Sequence, residues 1–557
     1  MKKIACRIIL GLVVLPLLVP GQSAPEKPLT PAEQMDKLFD FWNRLDQPGF
    51  AAVVVKDGQV VYQKVFGLAC QEHAVPLTPN SLFNTANLAQ VFVGQAVAML
   101  ETQGKLSLDE DVRKIIPEIP DFGVPLKLRH LVTHTSGLRD WLPVVQLAGR
   151  GGEEVTMAKV LKIVQGQKKL IFTPGERFQD SNTDDDLLAE AIRRVTGKPF
   201  SDWAFENMFK PLKMTRTQFR ENCRSILDDQ AFSYNFTRQE YLRGVDNLSL
   251  VGSHSLFASV AELGKWLVDL DAGKAVDKGI YARMFTPGKL DSGASTAAGY
   301  GVNIDLRGGK RRISKTGDWA GSEMQFSYFP DQRFGFVVLA NWDYTPIDGF
   351  GGAIPEIFLP APPAPPASAK PAPRAKTVKV RPAILDEYAG DYRLGPGQVF
   401  NISRAEAQLV LSFFGQKFPL TTLSETEFSL DFAQARVTFR RGKDGKFDGL
   451  VWAQGGGEQV APKVVIVKPS PAELAEYAGA YVNDELGIRL ALEVRGAGLA
   501  LVAPEQAEVS LLPDEKDSFT SRLRTFPKVV FQRDPQGRVT GLIVDSAAVR
   551  DLLFKKS

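Results

Sequence analysis

The chain is short of the residues that announce metals and redox chemistry. It has only three cysteines and four histidines in 557 residues. No Cys cluster has metal-ligand spacing, so a zinc ribbon or an iron–sulfur site is excluded. Charge of one sign is also missing: 67 basic against 64 acidic residues leave a formal net charge of +3. With no basic stripe interleaved with aromatics, the sequence argues against nucleic acid as a partner. Beyond the N-terminus no apolar run is long enough to cross a bilayer as a helix.

One short apolar run stands at the start. Lys2 and Lys3 precede Ile8–Val19, and the small residues Gly21, Ser23 and Ala24 follow. That order is the order of a secretory signal peptide, expected over residues 1–23 with cleavage near Ser23 or Ala24. The run contains Pro16 and is short for a membrane anchor. The chain is therefore expected to be exported, to a periplasm or outside the cell, with no transmembrane segment after cleavage. Export permits a disulfide between Cys70 and Cys223, and the sequence leaves open whether they meet or stay as free thiols.

The remainder is too long for one hydrophobic core. Residues 31–46 carry apolar side chains at helical spacing behind Pro31. Ala51–Lys56 and Val60–Phe66 flank Asp57-Gly58, a hairpin signal. A helix hydrophobic almost all round runs from about Leu88 to Thr102, with Gly104 as its stop. Residues 105–270 are mostly helical, including a helix that opens at Asp184-Asp185-Asp186 and closes at Gly197. Acidic residues there suit the positive end of the helix dipole. Strands return at Ile313–Thr316, Met324–Phe329 and Phe334–Ala340. The expectation for residues 30–358 is one α/β (α+β) domain with an antiparallel sheet and a helical subdomain.

A Pro/Ala-rich linker, residues 359–382, follows. After it the chain repeats itself. Leu385-Asp386-Glu387-Tyr388-Ala389-Gly390-Asp391-Tyr392 returns as Leu474-Ala475-Glu476-Tyr477-Ala478-Gly479-Ala480-Tyr481. Both copies are β-patterned, so residues 383–467 and 471–557 are expected to be two small all-β modules, barrels or sandwiches. The protein partner of these modules is not specified by the sequence.

Several ordered segments resemble the serine β-lactamase and penicillin-binding protein family, of the class C β-lactamase, DD-peptidase and esterase type. They are Gly104–Glu110, Leu128–Leu138 with its Thr133-His134-Thr135-Ser136-Gly137, Pro174–Phe178, Ser181-Asn182-Thr183, Gly252–Ser259 and Lys315-Thr316-Gly317. In that family a serine at a helix start attacks, a lysine one turn on takes its proton, and a Tyr-x-Asn loop and a Lys-Thr-Gly strand complete the pocket. Here the helix reads Phe83-Asn84-Thr85-Ala86-Asn87-Leu88-Ala89-Gln90, so Asn87 holds the serine position and Gln90 the lysine position. Asp180 stands where the tyrosine belongs, while Asn182 and Lys315 are kept. The resemblance implies that Asn182, Lys315, Thr316, Gly317 and the backbone of Asp318 line a ligand pocket. Asn87, with serine's capping ability, is expected to cap the helix. Asp180 and Lys315 are expected to pair across the pocket.

The pattern points to a catalytically impaired homologue that binds a peptide, a cell-wall fragment or a protein. The alternative is an active hydrolase with a relocated nucleophile drawn from Ser81, Thr85, Ser136 or Ser181. No cofactor is implied. Two further groups are read as structural and not as metal ligands: Asp184-Asp185-Asp186, and His130 with His134 four residues on.

Overall fold

The computed structural model describes residues 28–237, 240–343, 345, 347–359, 380–395, 398–413, 416–430, 435–454, 457–502, 508–521, 528–545 and 551–557. The expected signal peptide and most of the expected linker lie outside these residues.

Helix α1, Pro31–Phe39, opens on a capping box between Thr30 and Glu33 and passes into a single 3-10 turn at Asp40–Trp42. The sequence pattern ran further, to residue 46, because Leu45 keeps the spacing; it is exposed past the turn. Strands β1, Phe50–Lys56, and β2, Gln59–Phe66, are joined at Asp57 and Gly58, both with positive φ (50° and 74°), as a tight hairpin requires. Helix α2, Leu88–Thr102, follows. Next come the short α3, Leu128–Val132, then α4, Trp141–Leu147, α5, Met157–Gly166, and α6, Asn182–Thr196. Helix α7, Val260–Ala272, precedes the strands β3, Asn303–Arg307, β4, Lys310–Trp319, β5, Ser322–Phe329, and β6, Phe334–Ala340. Helix α8, Ile347–Phe358, ends the unit.

The six strands form one antiparallel sheet in the order β3-β4-β5-β6-β1-β2. Alternation along β1 explains its layers. Ala51, Val53 and Val55 enter a core with α2 and α7, while Phe50, Ala52 and Val54 enter a second core with α1 and α8. The sheet is thus covered on both faces, and α2 sits inside the larger core. This is the mixed α/β domain expected from the sequence, with β4 carrying Lys315-Thr316-Gly317 beside the start of α2.

The two C-terminal modules are all-β after an opening helix. Strands between Gly390 and Val464 form a nine-stranded sheet, and those between Gly479 and Lys556 close into an eight-stranded barrel. Each begins with the same device: Tyr392 Oη donates to the Tyr388 carbonyl (2.7 Å), and Tyr481 Oη to the Tyr477 carbonyl (2.6 Å). The barrel is seated on the α/β domain. Val144 and Leu147 of α4 pack into the barrel's own hydrophobic cluster. Beside them Arg139 Nη1 meets Glu485 Oε1 at 2.6 Å, with Arg139 only 1% exposed. Cys70 and Cys223 are both free thiols.

Candidate functional site

The chain enters α2 through a strained residue. Ala86 has φ 45°, a region an alanine adopts at a cost of order 1–3 kcal/mol, and such strain concentrates at functional sites. Asn87 then takes φ −71° and ψ 1° and makes no side-chain cap hydrogen bond, which corrects the expectation that it caps the helix. A capping side chain needs an extended backbone at that residue, and Asn87 is already turned. Backbone bonds take over: Leu88 N–H donates to the Thr85 carbonyl (3.0 Å), Ala89 to Ala86 (3.3 Å) and Gln90 to Asn87 (3.2 Å).

The freed Asn87 side chain turns into the site. Its Nδ2 and Gln90 Nε2 both lie 3.4 Å from Asn182 Oδ1. Gln90 is fully buried, and its Oε1 has no hydrogen-bond partner. The other end of Asn182 is held by Asp140: Asn182 Nδ2 donates to Asp140 Oδ2 (2.9 Å), as does its backbone N–H (3.2 Å). Asp140 also caps α4 through Leu142 N–H, and burial raises its carboxyl to about 6. Strand β4 closes against this group. A Cβ added at Gly317 would fall 2.6 Å from Asn87 Cβ and 2.8 Å from Asn87 N, so only glycine lets the strand come so close.

Beside these amides lies a charged pair. Lys315 Nζ is 3.4 Å from Asp180 Oδ1; the lysine side chain is 6% exposed and the aspartate 62%. Lys315 holds the Asp180 carboxyl below its ordinary value despite the burial of its surroundings. His134 Nδ1 accepts the Ser181 N–H (2.9 Å) and lies 3.6 Å from Asp180 Oδ1. Burial pushes His134 down to about 4, and His254, whose ring packs at a tilt against Trp319, to about 3. Both imidazoles are therefore neutral at pH 7. Thr316 and Asp318 are exposed on β4, on either side of the half-buried Gly317.

The candidate replacement hydroxyls are all engaged. Ser81 Oγ accepts from Thr78 N–H, Thr85 Oγ1 donates to the Leu256 carbonyl, Ser136 Oγ donates to Asp184, and Ser181 Oγ caps α6 through Asp184 N–H. All four residues are buried. The helix that carries Asn182 starts at that residue, two positions earlier than its acidic run suggested. Asp184, Asp185 and Asp186 are buried and not a solvated first turn. Burial raises all three carboxyls, Asp186 to about 8 while it accepts from Trp141 Nε1 and Ser253 N–H. No His/Cys/Asp/Glu group able to hold a metal occurs among the described residues. His130 and His134 do not share a helix, because α3 ends at Val132.

The arrangement can position a ligand but offers no attacking group at residue 87. An amide there is a poor nucleophile, and Gln90 has no basic nitrogen. Asp140, His134 and His254 were not singled out as site residues by the sequence. Asp140 acts on a residue 42 positions away, a distance that no local pattern reports.

A family profile described as Beta-lactamase matches residues 36–354. The chain is 25% identical over 448 residues to Penicillin-binding protein 4* of Bacillus subtilis (strain 168), covering 77% of this chain and 98% of that protein. It is 24% identical over 530 residues to a D-aminopeptidase of Brucella melitensis, covering 91% and 96%. Among solved structures, the octameric penicillin-binding protein homologue from Pyrococcus abyssi superposes with a TM-score of 0.52 at 20% identity. That match covers 85% of this chain and 98% of that one, and it speaks to the fold alone.

Proposed function

The chain belongs to the beta-lactamase family, and on that premise we propose that it is an exported, catalytically impaired member that binds a peptide, a cell-wall fragment or a protein partner. Its units are the family domain at 30–358 and β modules at 383–467 and 471–557, the second a repeat of the first. The observation that carries this reading is the side chain at residue 87. It is an amide bonded to Asn182, with a second neutral amide, Gln90, where a proton acceptor would stand. Removing the nucleophile of a serine hydrolase costs about a millionfold in kcat. The engaged hydroxyls of Ser81, Thr85, Ser136 and Ser181 favour binding over relocated hydrolysis. The pocket of this reading is lined by Asn182, Lys315, Thr316, Gly317 and Asp318.

Incubation with a fluorescent penicillin and a fluorophosphonate, followed by intact mass, tests the reading. The expected result is unmodified protein. A stoichiometric adduct would overturn it in favour of the hydrolase.

A further inference from the structure

The C-terminal barrel reaches the foundation of the pocket through one side chain. Its first two strands, Gly479–Asn483 and Ile488–Arg495, are joined by a turn that carries Glu485. The turn is fixed from within. Buried Asn483 accepts the Leu486 N–H on Oδ1 (2.7 Å) and donates from Nδ2 to the Leu553 carbonyl (2.7 Å). It lies close against the end of α5, where a Cβ on Gly166 would fall 3.1 Å from the Glu485 carbonyl oxygen. At the same distance after its second tyrosine the first module reads Leu394-Gly395-Pro396-Gly397, so the acid belongs to the second copy alone.

Glu485 Oε1 takes two donors from the α/β domain, Arg139 Nη1 (2.6 Å) and the Lys168 N–H (3.2 Å). Arg139 Nε has no hydrogen-bond partner and Nη1 is 3.4 Å from the Lys169 carbonyl, so Glu485 makes the short contact to this buried head group. The Arg139 backbone is the next link. Its carbonyl accepts Thr183 Oγ1 (2.9 Å), and Thr183 Oγ1 accepts the Trp141 N–H (2.8 Å), so residues 139–141 are clasped to the start of α6. Between them Asp140 accepts both the backbone N–H and the Nδ2 of Asn182. With Nδ2 committed to a carboxylate, Asn182 turns Oδ1 to Asn87 and Gln90.

We propose that Glu485 is a positioning residue for the pocket: acting through Arg139 and Asp140, it sets where Asn182 stands and which of its amide atoms faces residues 87 and 90. Without the carboxylate, Arg139 is a buried charge with no counter-charge. Its side chain then turns toward water and draws Asp140 with it, and Asn182 loses its acceptor. The barrel is in this way a part of the site and not an appendage. The inference uses Asn182 as a pocket residue, goes beyond the function proposed above and stands whether the pocket binds or hydrolyses.

Amide hydrogen exchange of the full chain, resolved at Asn182, tests it, because that N–H is held by Asp140 Oδ2. Glu485→Ala is expected to speed its exchange at least about tenfold. Glu485→Gln keeps an acceptor oxygen for Arg139 and should give a smaller acceleration, about threefold; it carries the test should the alanine variant not fold. Tyr481→Phe, which removes the hydroxyl bonded to the Tyr477 carbonyl inside the barrel, is the control for lost stability alone. It should lower the melting temperature and leave Asn182 exchange within about twofold of the parent. Unchanged Asn182 exchange in the Glu485 variants overturns the proposal, as does an equal acceleration by Tyr481→Phe. Either outcome is independent of the intact-mass result.

Discussion

Asp180→Asn tests the electrostatics of the pocket. Two unit charges 3.4 Å apart attract by about 5 kcal/mol at an effective dielectric near 20. Asp180 is 62% exposed, so water screens the pair and the realistic value is about 1 kcal/mol. A ligand carboxylate approaching Lys315 must compete with that interaction. Removing the charge should therefore raise the affinity of benzylpenicillin about fivefold at pH 7 by calorimetry. The methyl ester, which has no carboxylate, should not gain. The Asp180 carboxyl sits below its ordinary value of 3.8. The pair is thus intact above that value and lost as pH falls through the depressed one, and the variant's advantage must vanish with it. Weaker or unchanged penicillin binding, or an equal gain by the ester, refutes the competition.

Two other expectations concern stability. Glu485→Ala leaves Arg139, 1% exposed, without its counter-charge, and breaking a buried pair costs about 3–5 kcal/mol. Scanning calorimetry should show the barrel's transition moving to lower temperature and separating from that of the α/β domain. Asp186 is raised from 3.8 to about 8 by burial, so its neutral form favours the folded state. That contribution is complete below pH about 4 and is lost as pH rises through 8. Asp186→Asn should remove it, and urea unfolding at pH 5 and 8 should show the variant losing less stability than the parent over this interval.

The reading from sequence succeeded where the signal was local. The spacing of Phe83, Asn87, Gln90 and Phe92 placed a helix start where α2 begins, and Lys315-Thr316-Gly317 was read onto a strand that lies against Asn87. It failed where tertiary packing decided. Asn87 looked like a cap because its side chain suits one, yet the strained Ala86 turns the backbone so that the amide faces Asn182. The aspartates at 184–186 read as acids suited to a helix dipole, and nothing local in the sequence reports that all three are buried. Ser136, Trp141 and Ser253 come from three other segments to meet Asp184 and Asp186.

The most direct measurement is the hydrolysis of a chromogenic acetate ester by the purified protein, beside an Asn87→Ser/Gln90→Lys variant. The parent is expected to match the buffer rate, and the variant to give a burst of released chromophore. Saturable turnover by the parent, abolished by replacing a single serine or threonine elsewhere, would contradict the account.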